Sequence, residues 1–392
     1  MSPQASSEIL VKIEKIVSGG LGLARHEGRV IFVPFAAPGD FLKVRITSQE
    51  KNFATAEIVE IVESGSGRQT PPCPYYGRCG GCNLQHLETS VQLVQKDSIV
   101  HDNLMRLFAK KCGREAEVEA ALRPIKPSPK SWRYRNRIQP NYDQGRLGFY
   151  ERSSHHLIDI QDCLIAEESL GQALASVKKE LIEKKSPAGR LEIRINQDLK
   201  TETFMMEDSP EGFGFAQVNR YQNEELIASV LSLASPNEHS RIFDLYGGSG
   251  NFTFPLSEKF NHPLISVELS TKLAKKMKAE IEKHRKQKQI LSIAADVELY
   301  LKRTELKKDD VVLLDPPRIG ASELTMRSLA FAGPKQIIYI SCDPAALARD
   351  LERFYRFCGE SQKRYKITQI QPFEMFPQTD HIETIVDLRI DS

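Results

Sequence analysis

The sequence predicts an α/β protein whose second half is a mostly parallel, Rossmann-like sheet, preceded by a small OB-like β-barrel and an α+β unit. Three observations predict this class. From about position 212, short apolar strands alternate with helical patterns, as they do in parallel sheets. The first sixty positions carry short strands separated by turn residues, which is typical of a barrel. A group of cysteines lies between these two parts.

The predicted barrel occupies residues 1–63 and ends at a Ser-Gly-Ser-Gly linker at 64–67. Its apolar and polar side chains alternate, which is the pattern of half-buried strands, and a glycine-rich turn is expected at 19–22. The remaining chain is divided into a central α+β domain, 64–210, and a catalytic domain, 211–392. The predicted barrel strands are Ile9–Ile16, Arg29–Phe35, Phe41–Thr47 and Ala54–Val62.

Composition excludes some classes of protein and leaves others open. The 392 residues suffice for two or three domains, and the formal net charge of +2 is too small to prove a polyanionic partner. No apolar run reaches membrane-spanning length, and the N-terminus lacks the pattern of a signal peptide, so we expect a cytoplasmic protein without a membrane partner.

Two basic segments stand out. The segment 123–152 interleaves its Lys and Arg residues with aromatic ones, most densely around Trp132, and this combination suits nucleic acid. The segment 272–288 falls on a helical pattern, and a solvated helix face is the preferred interpretation there.

The cysteines favour a metal site over disulfides, because nothing in the sequence indicates export. Three of them are closely spaced and a fourth is distant, which resembles an iron–sulfur site more than two zinc knuckles. We therefore favour a [4Fe–4S] cluster over zinc. His86 is an alternative ligand, and Cys112 and Cys358 are interpreted as ordinary cysteines. The expected ligands are Cys73, Cys79, Cys82 and Cys163.

The rest of the central domain is expected to be mostly antiparallel. A helical pattern covers residues 88–112, and this helix is a candidate to pack on the catalytic domain. A proline-rich break at 123–129 follows it. The predicted strands are then Ile138–Tyr142, Leu147–Glu151, His156–Ile160 and Leu191–Ile195.

Cys342 is the most informative single residue. A buried strand is predicted at Gln336–Ser341, and Asp343 and Pro344 are favoured at the first positions of a helix. Cys342 would then lie at a strand end, where ligands bind in such sheets, and the helix N-terminus would favour its thiolate. A buried structural cysteine is the alternative.

Acidic residues follow four successive predicted strands of the second half. After the first comes a glycine-rich loop that does not match a dinucleotide fingerprint, because Thr253 occupies the third glycine position. Acids in such places can be turn or capping residues, but their combination suits S-adenosylmethionine: Glu268 would bind the ribose hydroxyls and Asp296 the adenine amine. The four acids are Asp244, Glu268, Asp296 and Asp315.

The second half resembles the RNA uracil-5-methyltransferase family, which includes TrmA-like and RlmD-like branches. The first sixty residues resemble its RNA-binding TRAM barrel, and barrel and cysteine cluster together match the RlmD-like branch, which acts on 23S rRNA. Gly247 departs from the family, which often has cysteine there. The motifs that carry the resemblance are Phe215–Asn219, Asp244–Tyr246, Asp315–Arg318, Ser341–Pro344 and His381–Thr384.

The resemblance implies which residues carry the reaction. Cys342 would add to C6 of uracil, so that C5 attacks the methyl group of S-adenosylmethionine. Glu383 would then remove the C5 proton, with His381 as a rival base. Asp315 would also contact the uracil or shape its pocket. The residues expected to contact the cofactor are Gln217, Tyr246, Asn251, Glu268, Asp296 and Asp315.

The expected partner is RNA, and 23S rRNA is preferred over tRNA. The expected enzyme is an RNA (uracil-5-)-methyltransferase that works as a monomer. Two rivals remain. One is an exocyclic-amine methyltransferase, which would also use Asp-Pro-Pro but would leave Cys342 without a task. The other is an RNA-binding protein with a degenerate methyltransferase fold.

Overall fold

The computed structural model describes residues 8–196, 198–205 and 217–391. The chain divides into two compact units. The first unit comprises Met1–Ile99, Lys130–Asp208 and Phe376–Asp380. The second unit comprises Val100–Pro129, Ser209–Met375 and His381–Ser392. No helix among the described residues is both long and apolar enough to cross a membrane.

The first unit begins with a six-stranded sheet in the order β1-β5-β6-β4-β3-β2. Alternating side chains of these strands, such as Val33 and Val44, are fully buried in one core. The predicted strand Ile9–Ile16 is divided in two, and a strand at 21–26 replaces part of the expected turn. The strands are β1 (Glu8–Lys12), β2 (Lys15–Val17), β3 (Leu21–His26), β4 (Arg29–Pro34), β5 (Phe41–Gln49) and β6 (Phe53–Glu63).

A second sheet of the first unit is antiparallel, as predicted, in the order β10-β9-β8-β11-β12, with β7 paired to β11. The predicted strand Ile138–Tyr142 is interrupted at Pro140, which has no N–H to give to a ladder. The elements are β7 (Arg137–Ile138), β8 (Asn141–Asp143), β9 (Arg146–Tyr150), β10 (Leu157–Asp159), α4 (Glu168–Glu183), β11 (Gly189–Ile195) and β12 (Thr201–Met205).

The helical pattern predicted over 88–112 is real but not uniform. It contains α1 (Thr89–Leu104), a π-helical turn (Met105–Ala109) and α2 (Lys110–Cys112). Gly113 ends it with a left-handed conformation, φ 63°. The boundary between the two units falls inside α1, between Ile99 and Val100. A short helix, α3 (Glu115–Ala121), follows.

The second unit is built on a seven-stranded sheet in the order β15-β14-β13-β16-β17-β19-β18. The first five strands of that order are parallel, and β19 is antiparallel to both of its neighbours. The strands are β13 (Ile242–Leu245), β14 (Leu264–Glu268), β15 (Ile290–Ala294), β16 (Val311–Leu314), β17 (Gln336–Ser341), β18 (Tyr365–Phe373) and β19 (Glu383–Ile390).

Helices alternate with these strands, as the sequence pattern predicts. Three of the central strands, β13, β16 and β17, are buried along their whole length, and β14 is buried up to Glu268, which is why their sequences are mostly apolar. The connections reverse direction at β13, so a switch point lies at its carboxyl end. The helices are α5 (Arg220–Leu233), α6 (Thr253–Lys259), α7 (Thr271–Lys283), α8 (Val297–Arg303), α9 (Glu323–Ala332) and α10 (Pro344–Ser361).

Candidate active site

The carboxyl ends of the parallel strands in the second unit carry the predicted site residues. In spatial order, β15, β14, β13, β16 and β17 lead into Asp296, Glu268, Tyr246, Asp315 and Cys342. Because parallel strands end at one edge of their sheet, this order brings the residues to a common edge. The sheet therefore collects residues that are almost one hundred positions apart in the sequence.

Cys342 lies in the bend between β17 and α10, as predicted, and its side chain is half-buried. Asp343 caps the helix by accepting hydrogen bonds from the backbone N–H groups of Ala345 (3.0 Å) and Ala346 (2.9 Å). Pro344 occupies the first helical turn. The cap fixes the backbone on both sides of the thiol.

Strand pairing places Glu383 across from Cys342. β17 and β19 are antiparallel, and Ser341 pairs with Thr384. One step further along this register, Cys342 and Glu383 face each other at the end of the ladder. Glu383 is only 2% exposed, and its Oε2 atom has no hydrogen-bond partner among the described residues. A buried carboxyl oxygen without a partner is costly, and such a group is typical of functional sites.

Burial and acidic neighbours dominate the electrostatics of this pair. Burial, with help from Asp315, raises the pKa of Glu383 well above its usual range. Burial, together with the charges of Glu383 and Asp315, raises the pKa of Cys342 to about 12, while Arg318 acts in the opposite direction. Burial and these acidic neighbours oppose the effect that was expected from the helix N-terminus, which favours the thiolate. The thiol proton must leave before the sulfur can act as a nucleophile.

Two further carboxyl groups share this edge. Burial raises the pKa of Asp244 to about 7, and burial together with Asp244 raises the pKa of Asp315 to about 7. The hydroxyl of Thr253 donates to Oδ2 of Asp244, whereas Oδ1 has no partner in the described part of the chain. Proximity to one another and to Glu383 makes full ionisation of all three carboxyl groups unfavourable.

The loop after β13 is shaped around Glu268. Tyr246 adopts a left-handed conformation with φ 66°, which is uncommon for a residue with a side chain. Glu268 accepts hydrogen bonds from the N–H of Gly248 (3.0 Å) and of Ser270 (2.7 Å). These two bonds leave its carboxylate with further acceptor capacity for a pair of hydroxyl groups.

The glycine at position 247 has a local explanation. A Cβ atom there would lie 2.1 Å from Oγ of Ser266 and 3.2 Å from Oδ2 of Asp244. The strand next to β13 therefore leaves no room for a side chain at 247. The side chain of Ser266 therefore explains why position 247 has glycine where the family often has cysteine.

The other predicted cofactor residues differ in what they contact. The side chains of Asn251 and Asn223 exchange two amide hydrogen bonds, 2.9 and 3.1 Å long. Both polar atoms of the Gln217 side chain are buried, with no partner among the described residues. Asp296 caps α8 by accepting from the N–H of Leu299 at 3.0 Å. Phe215 and Ala216 of the predicted motif lie outside the described residues.

Three contributors to this edge were not predicted from the sequence. Asn223 holds Asn251 and Thr253 holds Asp244, and both contacts join segments that the sequence does not link. Arg318 was noted as part of the Asp-Pro-Pro-Arg motif but was given no role. Its Nε lies 3.6 Å from Oδ2 of Asp343, so the guanidinium belongs to the surroundings of Cys342.

The four predicted metal-binding cysteines lie in the first unit and line one cavity of about 130 Å³. Oε1 of Gln85 and Nε of Arg135, on two residues that line the same cavity, have no hydrogen-bond partner within the described residues. Burial raises the pKa of the Cys82 thiol to about 12, so the cavity is costly for a bare thiolate. The shared cavity holds Cys73, Cys79, Cys82 and Cys163.

The cysteines do not form a site for one metal ion. Among the described residues, no three His, Cys, Asp or Glu side chains are grouped so that they could hold one. Tetrahedral zinc with Zn–S bonds of about 2.3 Å requires its sulfurs to converge closely. In a cubane cluster each thiolate binds a different iron atom, so its sulfurs stand further apart. The described cysteines share a cavity, but they are not arranged as a site for one zinc ion.

His86 and the two remaining cysteines lie elsewhere. Nε2 of His86 bonds to the carbonyl oxygen of Ala36 at 3.0 Å, and Nδ1 bonds to the Tyr76 hydroxyl at 2.6 Å. With both nitrogens engaged, the ring is not available to a metal. Cys112 and Cys358 belong to the second unit, and neither of them lines the cavity of the four cysteines.

Comparison with known proteins gives the family. Residues 188–390 match the family model described as tRNA (uracil-5-)-methyltransferase, and residues 5–59 match the TRAM domain. An uncharacterized RNA methyltransferase of Bdellovibrio bacteriovorus is 45% identical, covering 100% of this chain and 97% of that protein. A protein of Shewanella halifaxensis named 23S rRNA (uracil(1939)-C(5))-methyltransferase RlmD is 29% identical over 98% and 96% of the two chains.

A solved structure shares the fold. The Pyrococcus abyssi tRNA (uracil-54, C5)-methyltransferase, solved in complex with S-adenosyl-L-homocysteine, superposes with a TM-score of 0.73 at 21% identity. The match covers 96% of this chain and 100% of that one. The fold, the motif residues at the sheet edge and the family match agree: the chain belongs to the tRNA (uracil-5-)-methyltransferase family and carries a TRAM domain.

Proposed function

We propose that this protein transfers a methyl group from S-adenosylmethionine to C5 of a uridine in RNA, with Cys342 as nucleophile and Glu383 as base. The observation that carries the proposal is the β17–β19 register, which sets a buried, unpartnered carboxyl group across from a half-buried cysteine. Family membership supports the reaction class. The relatives' names support RNA as the substrate.

The cofactor would lie across the carboxyl ends of β13, β14, β15 and β16. Glu268 retains acceptor capacity for two ribose hydroxyls, and Gln217 offers a buried amide that has no partner among the residues the structure describes. We assign Tyr246, Asn251, Asp296 and Asp315 to the same binding surface. The bound cofactor supplies an electrophilic methyl group on a sulfonium, and every other step falls to the protein's own residues and the RNA base.

The reaction starts when the half-buried thiol of Cys342 loses its proton to water and the resulting thiolate forms a bond to C6 of uracil. Electron density then moves onto C5 and O4, so that C5 becomes able to attack the methyl carbon. The raised pKa of the thiol suppresses the thiolate while the site is empty. Arg318 favours the thiolate, because its charge lowers the pKa of Cys342.

Glu383 completes the reaction by removing the proton from C5. The electron pair of that C–H bond restores the C5–C6 double bond and expels the sulfur of Cys342. A carboxyl group acts as a base only when ionised. We propose that binding of the cationic cofactor near Asp315 and Glu383 favours this ionisation.

We propose that the three expected segments divide the work. Residues 1–63 and 64–210 would hold flanking RNA through phosphate contacts and stacking, and 211–392 would carry out methyl transfer. The target uridine must leave its stack to reach the sulfur of Cys342. We further propose that the protein works as a monomer in the cytoplasm. None of its seven cysteines forms a disulfide, which suits a reducing compartment.

We propose that the first-unit cavity holds a [4Fe–4S] cluster bound by Cys73, Cys79, Cys82 and Cys163. The shared cavity and the unpartnered polar atoms beside it support this assignment. A resident cluster would cross-link the segment 73–82 with Cys163. Its proposed role is to shape the RNA-binding surface.

The proposed substrate is 23S rRNA, and the RlmD relatives support it. tRNA is the second candidate, because the family description and the Pyrococcus abyssi structure both name it. The test incubates purified protein with labelled S-adenosylmethionine and, separately, with 23S rRNA fragments and a tRNA pool. Mass analysis of the nucleosides then locates the methyl group.

The proposal expects 5-methyluridine at a discrete position in an rRNA fragment. Label found only in tRNA would show that tRNA is the substrate, and the proposed chemistry would stand. Methyl on an exocyclic nitrogen would overturn the proposed reaction, and no transfer to any RNA would favour a binding protein with a degenerate fold.

A further inference from the structure

The loop between β16 and α9 exposes a large apolar side chain. Ile319 is 77% exposed, more than any other large apolar residue that the structure describes. A singly exposed apolar residue is normal on a protein surface, so exposure alone assigns no role to it. Ile319 differs from other exposed apolar residues in two ways: hydrogen bonds fix its loop, and the loop lies beside the candidate active site.

The loop is held rigidly from below. Nη2 of Arg349 donates to the carbonyl oxygen of Ile319 at 2.6 Å. The N–H of Ala321 donates to Oδ2 of Asp350 at 2.8 Å, and that fully buried carboxylate also accepts from the hydroxyl of Tyr339 at 2.7 Å. The main chain from Ile319 to Ala321 is therefore tied to α10 and β17.

Gly320 shows how closely the loop follows its support. Its φ is +86°, and a Cβ atom there would lie 2.3 Å from Oδ2 of Asp350 and 2.4 Å from Nη2 of Arg349. No other residue type fits this position without displacing the support. The glycine lets the loop pack closely against Asp350 and Arg349, while the side chain of Ile319 before it is exposed to solvent.

The loop belongs to the candidate active site. It follows Asp315 directly, and Arg318, the residue before Ile319, approaches Asp343 and acts electrostatically on Cys342. Ile319 therefore stands one residue from a side chain that surrounds the nucleophile. A rigid apolar side chain next to a basic one suits insertion between stacked bases, with the positive charge directed to a phosphate.

We infer that Ile319 is a wedge that enters the RNA base stack at the position the target uridine vacates. The inference rests on the proposed function. It adds a specificity element, because a wedge favours a uridine that must be pulled from a stack. The contact lowers the cost of unstacking and leaves the chemistry on the flipped base unchanged.

The experiment compares two RNAs that share the target sequence. One is a hairpin in which the uridine is stacked, taken from the transcript that the wild-type protein methylates. The other is a short oligomer of the same sequence without secondary structure. The Ile319→Ala variant is measured beside Leu291→Ala, a control that removes an exposed apolar side chain (57%) near the start of β15 in the same unit.

For Ile319→Ala, kcat/KM on the hairpin should fall by about tenfold or more and stay within about twofold of wild type on the oligomer. The Ile319→Phe variant, which keeps an apolar wedge, should retain most hairpin activity. Leu291→Ala should leave kcat/KM unchanged on both RNAs.

Equal loss on both RNAs, or no loss on the hairpin, would overturn the wedge and leave the methyltransferase activity standing. A wild-type protein that methylates neither RNA would overturn the proposed function, and the wedge with it. The wild-type measurement therefore separates the two failures.

Discussion

Burial raises the pKa of both Cys342 and Glu383, whereas the proposed reaction needs both groups without their protons. The charge of Glu383 raises the pKa of Cys342 further, and Asp315 has the same effect on Glu383. A site built this way stays unreactive until RNA and cofactor are bound. The residue scale therefore offers tests that separate forming the sulfur–uracil bond from breaking it.

Replacing Glu383 with glutamine should lower turnover by about 10²- to 10⁴-fold, because the amide cannot take the C5 proton. Bond formation by Cys342 and methyl transfer would still occur, so a methylated protein–RNA adduct should accumulate. Denaturing gels with labelled RNA measure the adduct, and single-turnover kinetics measure the rate.

The matched control is Glu374→Gln, which changes a fully buried glutamate of the same unit that lies outside the Cys342–Glu383 pair. It should not accumulate adduct. If His381→Asn trapped the adduct and Glu383→Gln did not, the rival base would be correct.

Asp315→Asn should stabilise the protein more at pH 8 than at pH 4.5. Burial and Asp244 raise the pKa of Asp315 to about 7. The protonated Asp315 side chain therefore contributes fully to folding stability below about pH 4, and this contribution is lost as the pH rises through about 7. Asparagine does not ionise. Thermal unfolding should show a Tm increase of at least about 2 °C at pH 8 and a smaller one at pH 4.5. A larger gain at pH 4.5 would contradict this sign.

Individual site residues differed in how far they could be predicted. Cys342 and Glu383 were identified because motif and strand pattern coincide at them, although their roles remain proposals. Arg318, Asn223 and Thr253 act through contacts between distant segments. One sequence shows no sign of which distant side chain completes such a hydrogen bond, so these roles needed coordinates.

At the scale of elements, the strand–bend–helix unit β17–α10 holds the nucleophile in place. Asp343, the residue after Cys342, caps α10, and its charge also raises the pKa of the thiol. It can therefore affect both folding stability and the reactivity of Cys342. Asparagine preserves a cap, whereas alanine removes it. These two substitutions separate the cap from the charge.

Asp343→Ala should lower the free energy of unfolding by about 1 kcal/mol, and Asp343→Asn should change it much less. Asparagine also removes a charge that raises the pKa of Cys342, so adduct formation at neutral pH should not slow down. Urea unfolding measures the first effect and trapping rates measure the second. Equal destabilisation by both variants would show that the cap is not the source of stability.

The elements themselves were predicted best where they are buried. The parallel strands of the second unit are continuous apolar runs, and their order of appearance was correct. Prediction was poorer in the first unit. β3 was missed because the glycines at 19, 20 and 22 predict a turn that overlaps its start, and the strand at 138–142 is broken at Pro140. Short strands in small sheets carry too little pattern to be located well.

At the scale of the whole molecule, the cysteine cavity is the feature that most needs a direct test. Cys82→Ser should remove most of the iron that the wild-type protein holds after anaerobic purification, about four atoms per chain with matching sulfide. Cys112→Ser, outside the cavity, should retain it. Iron, zinc and sulfide assays on the same samples give the comparison. One zinc atom per chain and no sulfide would contradict the cluster.

The proposed division of labour among barrel, cysteine domain and catalytic sheet could be drawn from composition and motifs. The two compact units could not be predicted, because each of them takes residues from three separate stretches of chain. Discontinuous units leave no composition shift at their boundaries. The sequence therefore indicates which domains are present, but it does not indicate how the chain passes back and forth between the two compact units.

The most direct test of the central claim traps the sulfur–uracil bond. RNA carrying 5-fluorouridine at the target position cannot lose a C5 proton, so the adduct should persist after methyl transfer. Peptide mass mapping of the wild-type complex should place the nucleotide on residue 342, and Cys342→Ala should form no adduct. An adduct on another residue, or full methylation of ordinary RNA by Cys342→Ala, would contradict the account.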